Sequence, residues 1–146
     1  MNRICIKLLR LGYYSDLHAT RAVLAISEFF WAITLFMPGD TFARPTYKVM
    51  AQFIHDEDIW ACIWLFSACL QLYILITGRY HERFSVVFAG FNSMLWWSVV
   101  ISMYMSVSPV PAAISGEAAL ALAASWIYVR SGWIPKGSRR SHADQY

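Results

Sequence analysis

The stretch Phe84–Met105, FSVVFAGFNSMLWWSVVISMYM, runs for 22 residues without one formal charge. At about 1.5 Å of rise per residue, a helix of that length crosses the roughly 30 Å hydrocarbon core of a bilayer. Three other stretches read the same way. Ala22–Met37, Ile59–Thr77 and Pro111–Val129 run for 16, 19 and 19 residues, and all four stretches together hold two charges, Glu28 and Glu117. The other charged residues lie between them or at the two ends. The sequence therefore predicts an all-α integral membrane protein: a four-helix bundle with spans at about 22–37, 59–77, 84–105 and 111–129.

Composition agrees. Of the 146 residues, 58% are hydrophobic and 14% charged, against roughly 25% charged in an average soluble domain. Four spans use up most of the chain, so it forms a single membrane domain. Neither the arm 1–21, the first loop nor the tail 130–146 is long enough to bury a core of its own.

Basic residues in short loops orient a membrane protein toward the cytoplasm. Ten of the twelve fall on one predicted side: Arg3, Lys7, Arg10 and Arg21 in the arm, Arg79 and Arg83 in the middle loop, and Arg130, Lys136, Arg139 and Arg140 in the tail. The other side has Arg44 and Lys48. Both termini are thus expected in the cytoplasm, in a bacterial inner membrane. The tail's basic residues suit anionic lipid, and no nucleic-acid partner is expected.

The first 20 residues lack the apolar core and small-residue cleavage site of a signal peptide. Arg3, Lys7 and Arg10 oppose Ile4, Ile6, Leu8, Leu9 and Leu11, the pattern of a short amphipathic helix on the membrane surface. That helix is expected to stop at Gly12. A second helix, capped by Ser15, would then cross the bilayer with Arg21 snorkelling to the inner surface. Pro38-Gly39-Asp40 ends it. Tyr47, Met50, Phe53 and Ile54 recur at helical spacing in the outer loop, which predicts a short interfacial helix. Asp56, Glu57 and Asp58 suit the N-terminus of the second span and Gly78 its end. The short RYHER connection makes spans two and three antiparallel neighbours. Pro111 fits the first turn of the last helix.

Each span carries one strongly polar group: Glu28, Gln71, Asn92 and Glu117. Such groups are costly in lipid and turn toward the bundle interior. Glu28 shares its stripe with Arg21, Ala25 and Ala32, Gln71 with Trp64 and Ser67, Asn92 with Ser85 and Ala89, and Glu117 with Ala113, Ala121 and Ala124. By depth, Glu28, Gln71 and Asn92 form one layer nearer the cytoplasm. Glu117 is expected alone near the outer surface. These groups either bond helix to helix, make a site that responds to protons or cations, or form the polar lining of a pore. The fourth span also repeats small residues at Ala112, Gly116, Ala119 and Ala123, a face for close helix contact within the chain or between copies.

Nothing predicts a metal or a cofactor. Cys5, Cys62 and Cys69 have no ligand or redox spacing, and His18, His55, His81 and His142 are scattered. No serine elbow, phosphate loop or HExxH occurs.

In the first loop PGDTF, followed by Pro45, Tyr47, Met50-Ala51 and Trp60-Ala61, resembles small four-span membrane proteins encoded by tailed bacteriophages. The likeness runs over the first two spans and reaches Trp126-Ile127-Tyr128-Val129-Arg130. It implies a phage origin and a membrane location. It carries over no activity and no functional residues. Three functions remain: a non-enzymatic membrane protein acting through helix–helix or envelope-protein contacts, a holin-like pore former that assembles as a homo-oligomer, and a small transporter or membrane enzyme using Glu28 and Glu117.

Overall fold

A computed structural model describes residues 3–37, 39, 41–78, 83–106 and 112–132, with side chains from residue 16 onward. The described chain is all-α. Helix α1 (Arg3–Phe36) leads to a 3-10 turn (Pro45–Tyr47) and the short α2 (Lys48–Phe53). Then follow α3 (Glu57–Thr77), α4 (Arg83–Ser106) and α5 (Ile114–Gly132).

Local chemistry sets these limits. Asp56 caps α3 by accepting a hydrogen bond from the Asp58 backbone N–H at 2.9 Å, and Glu57 and Asp58 occupy the first turn, where the helix dipole favours acids. Gly78 ends it in the left-handed conformation, φ 66°, which a residue without Cβ adopts cheaply. The loop between α1 and α3 is tied down at both ends. The Phe42 N–H donates to Glu57 Oε1 at 2.6 Å, and the Val49 N–H donates to Ser106 Oγ at 3.2 Å. Met50 anchors α2 in the core while Phe53 faces out.

The long helices alternate in direction. Ser67 meets Asn92 and Trp64 meets Trp96, so α3 and α4 are antiparallel. Gly90 meets Tyr128 and Ser93 meets Ser125, so α4 and α5 are antiparallel too. Packing is closest between α1 and α3 and between α4 and α5. The neighbours α3 and α4 meet through long side chains instead. Asp16–Phe36 of α1, α3 and α4 are long and apolar enough to cross a membrane.

Two sequence expectations are corrected. No break separates a surface helix from the first span: α1 is one helix of 34 residues, running through Gly12 and Ser15. A mid-helix glycine costs only about 1 kcal/mol, and the flanking leucines and arginine favour helix, so Gly12 cannot stop it alone. Whether Arg3, Lys7 and Arg10 share a face lies outside the described side chains. The last helix also starts three residues later than expected. Pro38, residues 79–82 of the RYHER connection, Pro111 and the tail beyond residue 132 lie outside the described residues.

Candidate functional site

Helical spacing brings Leu17, Arg21, Leu24, Glu28, Ala32 and Leu35 of α1 to one buried face. Facing it are Trp64, Ser67 and Gln71 of α3 and Ser85, Asn92 and Trp96 of α4, all of them buried. The interior is therefore polar at its centre, whereas Ile26, Phe66, Ile76, Val87, Met94 and Ile101 point outward.

The polar groups bond to one another in two linked sets. In the first, Arg21 donates through Nη1 to Gln71 Oε1 at 2.8 Å and through Nη2 to Ser85 Oγ at 2.9 Å. In the second, the Asn92 amide donates to Glu28 Oε1 and, at 3.0 Å, to Ser67 Oγ, while the Trp96 indole N–H approaches the same Glu28 oxygen at 3.4 Å. Arg21 and Glu28 are both 0% exposed. Burying charge costs several kcal/mol per ion unless hydrogen bonds compensate, and here three helices contribute them. Glu28 Oε2 and Asn92 Oδ1 keep no hydrogen-bond partner.

Arg21 corrects the sequence reading. It does not reach back to the inner surface but lies one layer below Glu28, because Gln71 and Ser85 offer acceptors inside. The signal was present: Arg21 shares the 21–25–28–32 stripe with Glu28, and a stripe that turns inward takes all its members along. Glu28, Gln71 and Asn92 do lie in one connected region, with Gln71 joined to Arg21.

Glu117 is not alone. The Trp31 indole hydrogen-bonds to its carboxylate, and both line a cavity of about 300 Å³ with Phe30, Thr34, Thr41, Arg44 and Tyr47. Trp31 and Tyr47 stand edge to face, centroids 5.8 Å apart at 89°. Burial, reinforced by the nearby Glu117 carboxylate, pushes the Tyr47 phenol above its ordinary pKa, and Arg44 opposes this. From this cleft an aromatic column runs inward. Trp31 stacks on Trp64 at 5.6 Å and Trp64 packs on Trp96 at 4.8 Å, which reaches Glu28. The two glutamates thus cap the ends of one tryptophan column. Sequence reasoning missed it, since none of the three tryptophans forms a motif with another.

The small-residue face is also corrected for contacts within the chain. Ala112, Gly116 and Ala119 are exposed and Ala123 is half-buried, while α5 packs through Ala121, Ala124, Ile127 and Ser131. The close approach lies instead at Gly90, where a Cβ would stand 3.1 Å from the Tyr128 ring. Trp97 and Ser93 both bond Ser125 beside it. Among the described residues, no three His, Cys, Asp or Glu side chains gather as metal ligands would.

Comparison with known protein families, with characterised proteins and with solved structures finds no match to this chain.

Proposed function

We propose that the chain is a four-span integral membrane protein, a bundle of α1, α3, α4 and α5, that works through contacts with lipid and envelope proteins and not through catalysis. The observation that carries this is the inversion of polarity: Arg21, Glu28, Gln71 and Asn92 are buried on one another, and large apolar side chains cover the outside. In water that arrangement wastes the hydrophobic effect. In lipid it is the stable solution, because every polar group needs a partner inside the protein. Hydroxyls follow the same rule. Thr34, Ser98, Ser106 and Ser125 each donate to a carbonyl of their own helix.

Helix α5 is less apolar than α3, α4 and the Asp16–Phe36 part of α1, with Glu117 and Arg130 near its ends. It has 19 residues, about 28 Å, and runs antiparallel along α4. Its pairing with a spanning α4 supports a fourth span, and with the ten-to-two split of basic residues it supports cytoplasmic termini in a bacterial inner membrane. The phage resemblance fits a factor that alters the host membrane.

A holin-like pore is the second reading, favoured by one observation. The exposed Ala112, Gly116 and Ala119 stripe leaves a face free for a second copy. Membrane potential after induced expression separates the two. The contact reading expects the potential to persist at high expression, and its collapse would install the pore. A transporter or membrane enzyme would instead lose activity with normal folding when Glu28 or Glu117 is replaced by Gln.

A further inference from the structure

The outer cleft has the chemistry of a binding site, and its neighbour says for what. Trp31 and Tyr47, set edge to face at 89°, line the cleft together with the Glu117 carboxylate, whose Oε2 has no hydrogen-bond partner. Perpendicular aromatic walls with an acid beside them suit an organic ammonium group, held by cation–π attraction and charge. Arg44 lines the same cavity and offers a guanidinium for phosphate. Thr34 and Thr41 add polar edges. Opposite charges in one pocket of about 300 Å³ match a small zwitterion.

Phe30 is shared with a second cavity, an apolar groove of about 420 Å³ between Ile26, Phe29 and Phe30 of α1 and Ala68, Cys69 and Leu72 of α3. The groove runs from Phe30 toward the middle of α1, away from the loop. A polar cleft that continues into an apolar groove along two lipid-facing helices has the shape of a phospholipid.

We infer that this is a site for one outer-leaflet phospholipid with a zwitterionic, ammonium-bearing headgroup such as ethanolamine. The ammonium lies between Trp31, Tyr47 and Glu117, the phosphate meets Arg44, and one acyl chain fills the groove along Phe29 and Cys69. This rests on the membrane reading above. Free phosphoethanolamine shares the headgroup chemistry, and the groove is the reason for choosing the lipid.

The test is native mass spectrometry of the full chain in detergent, titrated with phosphatidylethanolamine, with phosphatidylglycerol of the same chains, and with free phosphoethanolamine. Retention of phosphatidylethanolamine at least tenfold above phosphatidylglycerol is expected. Glu117→Gln, which keeps the shape of the side chain, should abolish that preference while circular dichroism stays unchanged. Cys69→Phe, which fills the groove from an exposed position, should lower retention of both lipids and keep the headgroup preference. Equal retention of the two lipids, or a preference that survives Glu117→Gln, overturns the site. Displacement of the lipid by equimolar phosphoethanolamine overturns the lipid in favour of a soluble zwitterion. Release of the chain from membranes by alkaline carbonate, measured before any lipid is added, would instead overturn the membrane reading itself.

Discussion

Arg21 and Glu28 lie seven residues apart on one buried face of α1, two turns or roughly 10 Å along the axis, and each is bonded to side chains of other helices. Arg21 holds α3 and α4 through Gln71 and Ser85. Glu28 is held by Asn92, which also ties α3 through Ser67. Two ionisable side chains thus clamp the same three helices at successive levels. Sliding one helix past another breaks both clamps, so the pair fixes register more than it adds stability.

Replacing Glu28 by Leu should destabilise the bundle. It removes the acceptor for the Asn92 amide and the Trp96 indole, and each buried group left unbonded costs about 1–3 kcal/mol. Gln at the same position keeps an acceptor and should be tolerated far better. Thermal unfolding in detergent checks both, and Glu117→Leu should cost less than Glu28→Leu, because Glu117 borders an open cleft. A Glu28→Leu protein as stable as wild type would mean that the buried layer does not exist.

Arg21→Lys discriminates a buried fork from a snorkelling cation. A lysine ammonium is one point charge and cannot reproduce two guanidinium bonds that diverge to Gln71 and Ser85. A loss of about 1–3 kcal/mol in thermal unfolding is expected. A side chain at the membrane surface would accept lysine without measurable change.

Glycines on α4 and α5 should behave oppositely. Gly90→Val pushes into the Tyr128 ring and should cost about 1–3 kcal/mol, with Tyr128→Ala restoring part of it. A Cβ at Gly116 meets open space, so Gly116→Ala should stabilise α5 by about 0.5–1 kcal/mol. The reverse order would assign the contact to the small-residue face on α5.

Tyr47 supplies a pH test. Its phenol is pushed above the ordinary value near 10, so the folded state holds the proton more tightly than the unfolded chain. Its contribution to stability is complete below pH 10 and is lost as pH rises through the folded value. Absorbance titration should show a late-titrating tyrosine that Tyr47→Phe removes. In Glu117→Gln that tyrosine should titrate earlier but still late, since burial remains the larger cause. No change with Glu117→Gln would place the carboxylate away from the phenol.

Much of this was legible in the residues. Apolar runs marked the long helices, and stripes such as 64–67–71 and 85–89–92 marked their buried faces, because burial of polar groups leaves a 3.6-residue period. What period cannot carry is which stripe meets which. Hence Arg21 reads toward the surface, and the small-residue face of α5 stands out in the sequence while the close contact inside the chain lies at Gly90. Gly12 misled for another reason: a glycine ends a helix only where the next turn has something better to do, as at Gly78. The cleft around Glu117 was illegible because Tyr47 and Arg44 come from a loop whose path depends on Glu57 holding Phe42.

The central claim, four spans with a polar interior, is tested most directly by cysteine labelling in intact bacterial cells. With Cys5, Cys62 and Cys69 replaced, single cysteines are placed at Gly39 and at Arg140, and an impermeant maleimide is added from outside. The account predicts that Gly39→Cys labels in intact cells and that Arg140→Cys labels only after permeabilisation. Labelling of Arg140→Cys in intact cells would leave three spans and put the tail outside, which contradicts it.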